Sequence, residues 1–233
     1  RRPDSVLLVF SNRPEDALPD HAKRALHAAI LTVHDTVLLA ARLAAGVPNL
    51  PPLSMAIGVH LGAGEVTPRT GKNQSQGTVQ ALGEAVEIAR LLEVAAADLQ
   101  WNIVASGATR QAAGSRVDSG RTASMGLPDD TFMDVVEITG LVPRPGSTTP
   151  PSHYEALRNS LRRNQQMARS AVGQAMGTTA APLNAGGHLI IEGYRLLRKL
   201  GEGGIASIFL AQPATGGPPQ VLKVLRMDNP EGV

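Results

Sequence analysis

The chain has 233 residues, of which 42% are hydrophobic and only 3% aromatic, so its core must be built mostly from Ala, Leu, Val and Ile. A formal net charge of +2 is too small to indicate a nucleic-acid partner by itself. The absence of cysteine excludes disulfide frameworks and thiolate zinc sites and is typical of a reducing compartment, so we expect a cytoplasmic location.

Neither a membrane segment nor a signal peptide is expected. No apolar run approaches the roughly 18–20 residues that span a bilayer. The N-terminus "RRPDSVLLVF" lacks an initiator Met and the long apolar region of a signal peptide. We therefore interpret both ends of the chain as cut points within a longer parent protein.

The first predicted elements are a strand and a long helix. Val6–Phe10 is a short apolar run bounded by turn residues, which predicts a buried strand. Asp20–Leu43 is predicted to be a helix with Asp20 as its N-cap and Gly46 as its stop. Its apolar residues follow helical spacing: Leu26, Ile30, Val33, Val37 and Ala41.

The middle of the chain alternates between strand and helix patterns. Leu53–His60 is predicted to be a strand, and Gly62 and Gly64 predict a tight reversal into another strand. A polar loop is expected at Lys72–Gly77 and a helix at Glu84–Leu99. Such alternation indicates layers of helices and strands. Two further strands are predicted at Asn102–Ala105 and Phe132–Ile138.

Composition divides the chain into three predicted parts: residues 1–143, a linker over residues 144–187, and a separate unit over residues 188–233. The linker begins in "VPRPGSTTPPS", which is too rich in Pro, Ser and Thr to continue a packed element. Tyr154–Gln174 inside it is predicted to be a basic helix, and its arginines favour a solvated face over a nucleic-acid or membrane contact. These arginines are Arg158, Arg162, Arg163 and Arg169.

The C-terminal unit contains the stretch "LGEGGIASIFLAQPATGGPPQVLKVLRM". Gly201 and Gly203 would let backbone N–H groups approach a polyphosphate without an intervening side chain. A strand resumes at Ile208, and "VLKVL" is a second strand that places Lys223 between apolar neighbours. We expect Lys223 to be buried there and neutralised by an anion, because a lysine in an apolar strand is otherwise costly.

The order strand, glycine loop, strand, turn and strand with lysine resembles the start of a protein kinase domain, most of all bacterial Ser/Thr kinases. The resemblance covers Glu192 to about Met227, and an ordinary β-hairpin with a flexible turn is the alternative. It implies ATP and Mg²⁺ as cofactors of the parent. Since the catalytic-loop residues lie outside the chain, we expect no phosphoryl transfer by this piece alone. The implied ATP-binding residues are Gly201, Glu202, Gly203, Gly204, Ile208 and Lys223.

The N-terminal part resembles a class III nucleotidyl cyclase domain from Pro3 to about Val142, without the first strand and helices of that family. The match rests on five segments in the right order: "PDSVLLVF", "MAIGVHLGAGEV", "LGEAVEIARLL", "WNIVASGATRQAA" and "DVVEITGLV". The implied fold is α+β, with a partial ferredoxin-like domain followed by the first strands of a kinase N-lobe. Asp4 stands at the family's second metal-binding position, although a turn carboxylate is the simpler interpretation.

The remaining cyclase positions indicate an inactive domain. A cyclase needs an Asn and an Arg on one helix to orient the ribose and stabilise the transition state, and these positions fall on Glu87 and Leu91. Arg90 is one residue early, about 100° around the helix, and cannot substitute. Gln80 occupies the base-selecting position. We expect Glu87 and Arg90 to be surface charges.

The histidines are interpreted as structural. His60 is expected to be packed beside the glycines that follow its strand. His27 and His34 lie on one helix face, but a zinc site there would need further ligands.

The expected function is therefore that of a fragment of a signalling Ser/Thr protein kinase with an inactive cyclase-like regulatory or dimerisation domain. The expected partners are ATP, a protein substrate and a second copy of the chain, without nucleic acid. Two alternatives stay open: an active nucleotidyl cyclase that makes a cyclic nucleotide from ATP or GTP, and a non-catalytic interaction scaffold.

Overall fold

The computed structural model describes residues 5–12, 19–47, 53–68, 79–129, 131–175, 189–202 and 206–225. These residues form a mixed α+β structure, which confirms the predicted class at this level. The helices are α1 (His21–Gly46), α2 (Glu84–Asp98), α3 (Gly107–Ala113) and α4 (Pro151–Ala175). The strands are β1 (Ile57–Val59), β2 (Glu65–Pro68), β3 (Val79–Leu82), β4 (Ile103–Ser106), β5 (Val117–Gly126), β6 (Phe132–Leu141), β7 (Ile190–Glu192), β8 (Tyr194–Glu202), β9 (Ala206–Pro213) and β10 (Gln220–Leu225).

The described strands form three sheets. The N-terminal sheet has the order β1-β4-β6-β5-β7, with β1 parallel to β4 and the other neighbours antiparallel. The strands β2 and β3 form a separate antiparallel pair. The C-terminal sheet is antiparallel and has the order β10-β9-β8.

The N-terminal sheet is the middle of three layers. Ile103 and Ala105 of β4 belong to a core cluster shared with α1 and α4. Val104 lies in a second cluster shared with α2 and Trp101. Because successive side chains of a strand point to opposite faces, helices covering both faces bury all four residues of β4.

The long first helix is confirmed. Four of its predicted core residues are buried, whereas Ala41 is exposed and Ala40 is buried in its place. Asp20 stands at the N-cap without making a side-chain capping bond. Instead Asn12 Oδ1 accepts hydrogen bonds from the backbone N–H groups of Asp20 at 3.2 Å and His21 at 3.1 Å. A residue outside the helix therefore satisfies its first donors.

The strand predicted at Val6–Phe10 is wrong. Residues 5–12 form no strand, and the side chain of Val6 is 87% exposed. A strand needs a neighbour that accepts its backbone hydrogen bonds, and no described strand pairs with this segment. Its apolar composition alone did not place it in a sheet.

Other predictions are confirmed with shifted boundaries. The strand expected at Leu53–His60 is only β1, three residues long. The reversal at Gly62 and Gly64 leads into β2, and α2, β4 and β6 occur where strands and a helix were predicted. The pattern-based prediction missed β3, α3 and β5. The loop predicted at Lys72–Gly77 lies outside the described residues.

Helix α4 is confirmed, but it is not solvated all round. Leu157 and Leu161 are buried in the core cluster shared with α1. His34 Nδ1 of α1 shares a hydrogen bond of 2.7 Å with Ser160 Oγ of α4. Arg158 forms an ion pair with Asp118 of β5. One side of this helix is therefore part of the N-terminal layers, and the division of the chain into domains stays a prediction.

Helix α1 bears on the prediction that the chain contains no membrane segment, which stays a prediction. It has 26 residues and a mean hydropathy of 1.5 in its best window, so length and composition alone would allow it to cross a bilayer. Leu26, Ile30 and Val33 are fully buried against the sheet and α4, but only 28% of that window is buried and Leu38 and Leu39 are exposed. One face of α1 therefore packs in the core, and the other face is apolar and exposed.

Candidate nucleotide-binding site

The strands predicted around the glycine loop are confirmed as β8, β9 and β10. The chain runs from β8 through the loop into β9 and returns through Gly216 and Gly217, both with positive φ, into β10. Such backbone conformations favour glycine. Gly203 and Gly204 lie outside the described residues, so the loop between Glu202 and Ala206 is known only by its two ends.

Three predicted site residues lie in one row across the C-terminal sheet. Gly201 of β8 pairs with Ile208 of β9, and Ile208 pairs with Lys223 of β10. Residues directly opposite each other on antiparallel strands share one face of the sheet. The structure therefore brings together residues that are 22 positions apart in the sequence.

This face of the sheet is open and partly apolar. Ile208 is 37% exposed and Val221 is 63% exposed. Val221 pairs with Leu210 and lies two residues from Lys223, so all of them share the face. An exposed aliphatic surface beside an amine can hold a flat apolar ring that carries an anionic group. Val221 was missed, although its period-two spacing from Lys223 in "VLKVL" could have revealed it.

The expected burial of Lys223 is wrong. The side chain is exposed, and no carboxylate of the described residues forms an ion pair with it. The reason is that β10 is an edge strand and that no other described element covers its Lys223 face. Leu222 and Val224 instead point to the opposite, packed face. A charged amine in this position stays hydrated and accessible to an anion.

Glu202 lies at the end of β8, where the chain enters the loop. Its Oε2 accepts a hydrogen bond of 2.5 Å from Lys199 Nζ. Lys199 pairs with Phe209 rather than with Ile208, so it belongs to a different position across the sheet from Lys223. Among the residues that the structure describes, the Gly201 row contains Gly201, Ile208 and Lys223, and Lys223 supplies its charge.

The cyclase-like positions lie elsewhere, on α2 and β3. Arg90 Nη1 donates a hydrogen bond of 2.8 Å to Glu87 Oε1 on the exposed side of α2, as expected for surface charges. Leu91 is half-buried and packs against the cluster of Trp101. Gln80 is exposed on β3. The described positions thus carry an ion pair, a half-buried aliphatic side chain and an exposed amide, and the cyclase resemblance stays a prediction.

No metal centre is visible in the part of the chain that the structure describes, because no group of three or more His, Asp or Glu side chains there could hold an ion. Asp4, the proposed metal ligand, lies outside the described residues. His34 is engaged with Ser160, as described above.

His60 follows β1 and is packed, as predicted. Its Nδ1 shares a hydrogen bond of 2.9 Å with Ser106 Oγ at the end of β4, and Ser106 Oγ also lies 2.8 Å from Thr109 Oγ1. A Cβ at Gly62 would lie 2.9 Å from His60 Nε2, so the following turn covers the ring. Burial lowers the pKa of His60, and the opposing influence of Glu84 is smaller. Ser106 is buried, so this arrangement is structural rather than nucleophilic.

We expect His60 to make the chain less stable at low pH. The unfolded imidazole titrates near pH 6.5, whereas the folded one has a lower pKa, so the unfolded state binds more protons between the two values. The stability contributed by the neutral ring is present above pH 6.5 and is lost as pH falls toward the folded pKa. The urea midpoint should therefore fall more between pH 7.5 and pH 5 in the wild type than in His60→Gln. Equal losses in the two proteins would contradict this assignment.

Comparisons with known proteins add no family assignment. Neither a protein-family model, nor a curated protein, nor a solved structure matches this chain.

Proposed function

We propose that the chain belongs to a Ser/Thr protein kinase and joins a degenerate cyclase-like domain to the first strands of the kinase nucleotide-binding lobe. The observation that carries the proposal is the row of Gly201, Ile208 and Lys223 on one open face of the C-terminal sheet. A phosphate-binding glycine loop and a lysine must converge to hold one nucleotide. The register of the three strands puts Gly201, at the start of this loop, and Lys223 on the same face of the sheet.

The chemistry of this face suits ATP. Ile208 and Val221 offer exposed aliphatic surface for the adenine ring. Lys223 offers a positive charge for the phosphates. A Cβ at Gly201 would meet nothing within 4 Å, and its φ is not in the left-handed region, so neither packing nor backbone strain requires glycine there. Glycine would be required there if a polyphosphate approached the backbone closely, because a side chain would block that approach.

The cyclase-like part supports a regulatory role in this proposal. Four of its five resembling segments form elements that neighbour one another along the chain: β1 and β2, α2, β4 with α3, and β6. The fifth, "PDSVLLVF", forms no strand over its described residues. The ion pair between Glu87 and Arg90 and the half-buried Leu91 favour a domain without cyclase activity. A second copy of the chain is the proposed partner of this domain.

The proposed cofactors are ATP and Mg²⁺. Lys223 and the loop backbone would hold the phosphates, and the metal ligands would lie beyond the described residues. The parent protein would phosphorylate a protein substrate on Ser or Thr. The proposed location of the parent protein is the cytoplasm.

We expect Lys223→Met in the parent protein to lower kcat/KM for phosphorylation of a Ser/Thr substrate by on the order of 10²-fold or more, because one preorganised charge on the phosphates is lost. The matched control is Lys23→Met, which removes an exposed lysine from α1, outside the C-terminal sheet. The control should keep activity near the wild-type level. Radiolabelled phosphate transfer measures both.

Three results would contradict parts of this proposal. Unchanged phosphoryl transfer in Lys223→Met contradicts the kinase assignment. Production of a cyclic nucleotide from ATP or GTP with Mn²⁺ contradicts the inactive cyclase-like domain. Absence of ATP-dependent hydrogen-exchange protection over residues 206–225 of the parent supports a scaffold without nucleotide binding.

A further inference from the structure

The two larger sheets are joined by a single-residue corner. The strand β7 pairs with β5 at the edge of the N-terminal sheet, and after Gly193 the chain enters β8 of the C-terminal sheet. Gly193 has a φ of +79°, and its N–H donates a hydrogen bond of 3.0 Å to the carbonyl of Thr122. Its carbonyl accepts a hydrogen bond of 2.9 Å from the N–H of Ala214. The corner is therefore bonded to both sheets at once.

An aromatic pair closes the same junction. Phe132 at the start of β6 meets Phe209 of β9 edge-to-face, with ring centroids 5.9 Å apart and an interplanar angle of 84°. Phe209 is buried with Leu196 and Ala211, and the partly buried side chains around them include Leu189. The packed face of the C-terminal sheet is thus covered by a residue of the N-terminal sheet.

One ion pair joins the two sheets: Arg195 Nε of β8 lies 3.2 Å from Asp134 Oδ2 of β6. Two more lie within the N-terminal sheet, where Arg121 Nη1 of β5 is 3.2 Å from Glu192 Oε1 of β7 and Arg121 Nε is 3.0 Å from Glu137 Oε2 of β6. An open groove of about 490 Å³ runs beside Phe132, Asp134 and Arg195, so the junction is held by these contacts rather than by a filled interface.

The anchored face and the nucleotide face are opposite sides of the same strands. Phe209 points into the junction, and its neighbour Ile208 points to the open face in register with Gly201 and Lys223. Phe209 and Ile208 are consecutive residues of β9, so a displacement of this part of β9 moves the row as well. The ring pair of Phe132 with Phe209 and the ion pair of Asp134 with Arg195 are the contacts through which β6 can restrain β9 and β8.

We propose that Phe132 of β6 is a positioning residue for the nucleotide-binding sheet, beside the ion pair between Asp134 and Arg195, so that the position of β6 in the cyclase-like domain sets the nucleotide affinity. This inference rests on the proposed function. By linkage, nucleotide binding must in turn stabilise the junction by the same factor. The cyclase-like domain would thus regulate the kinase through direct contact with the back of its nucleotide-binding sheet.

The test is the ATP dependence of phosphoryl transfer by the parent protein. Phe132→Ala should raise KM for ATP roughly two- to tenfold, the range expected for loss of an aromatic pair. The value of kcat should stay near the wild-type value, because Phe132 does not reach the reacting groups. Phe132→Tyr keeps the ring and should restore the wild-type KM. If Phe132→Ala fails to fold, Phe132→Leu keeps the apolar volume and should still raise KM.

The outcomes separate the two proposals. If Lys223→Met abolishes transfer while Phe132→Ala and Phe132→Leu leave KM for ATP unchanged, the positioning inference is overturned and the kinase assignment stands. A fall in kcat at constant KM also overturns it, because that pattern indicates general damage to the fold. If Lys223→Met leaves transfer unchanged, both proposals fail together.

Discussion

Replacing Gly58 with alanine should destabilise the N-terminal layers by about 3 kcal/mol, at the upper end of the usual cost of overpacking a core. Gly58 is the central residue of β1 and faces the backbone of α2. An added Cβ would lie 2.3 Å from the carbonyl oxygen of Ala89 and 2.3 Å from the backbone nitrogen of Glu93. Real carbon contacts are never this short, and backbone atoms of a helix cannot rotate away as a side chain can.

The helix would have to move as a unit, and that movement has a further cost. Helix α2 buries Leu92 and Ala96 completely against the sheet. Displacing α2 far enough to admit a methyl group would open space around both side chains and lose their packing contacts. The clash cannot be relieved without loosening the second core cluster.

Urea denaturation followed by tryptophan fluorescence measures this effect. Trp101 is the only tryptophan of the chain and is 2% exposed, so its emission reports the cluster that α2 covers. Gly46→Ala is the matched control, since a Cβ at Gly46 meets nothing within 4 Å. Equal urea midpoints in the two variants would show that α2 does not approach β1 this closely.

The elements that the sequence predicted well are those with a strong local pattern. The helices α1 and α2 carry apolar residues at helical spacing, which depends only on neighbours along the chain. Helix α4 was predicted as a basic helix without a clear apolar stripe, so its packed side was not foreseen. Strand β5 was missed because "VDSGRTASMG" is largely polar and small, yet it forms the longest pairing of the N-terminal sheet with β6. Val6–Phe10 shows the converse, since it has strand composition without a partner. Pairing is a tertiary property that neither segment encodes locally.

In the candidate site, too, the local features could be predicted from the sequence and the features that depend on strand pairing could not. The glycine loop and Lys223 could be found from residue order, and their strands were predicted correctly. Their common row depends on the register of β8, β9 and β10, which the sequence does not state. The burial of Lys223 was misjudged because a strand with apolar neighbours still has two faces, and only one of them is packed. Phe132 could not be recognised from the sequence, because its contact with Phe209 crosses between sheets.

Asn164→Ala should lower the free energy of unfolding by about 3 kcal/mol, because it removes one side chain and leaves several buried polar groups without partners. Asn164 lies on α4 and has no exposed surface. Its Nδ2 donates to the carbonyl of Met55 at 2.8 Å and to Asn102 Oδ1 at 2.7 Å, and its Oδ1 accepts from the N–H of Met55 at 3.0 Å. Asn102 Nδ2 in turn donates to the carbonyl of Leu161 at 2.7 Å.

The strength of this hydrogen-bond network shows whether α4 is a structural part of the N-terminal layers. It joins the helix to the residues just before β1 and β4, where backbone groups would otherwise be buried without partners. Asn159→Ala is the matched control, because Asn159 is exposed on the same helix and alanine favours helix there. Urea midpoints of the two variants measure the difference. If both variants unfold at the wild-type midpoint, α4 is a peripheral linker helix. If only Asn164→Ala lowers the midpoint strongly, α4 is a structural part of the N-terminal layers. The reason is that the loss of one side-chain amide can destabilise the whole fold only if the helix that carries it is docked.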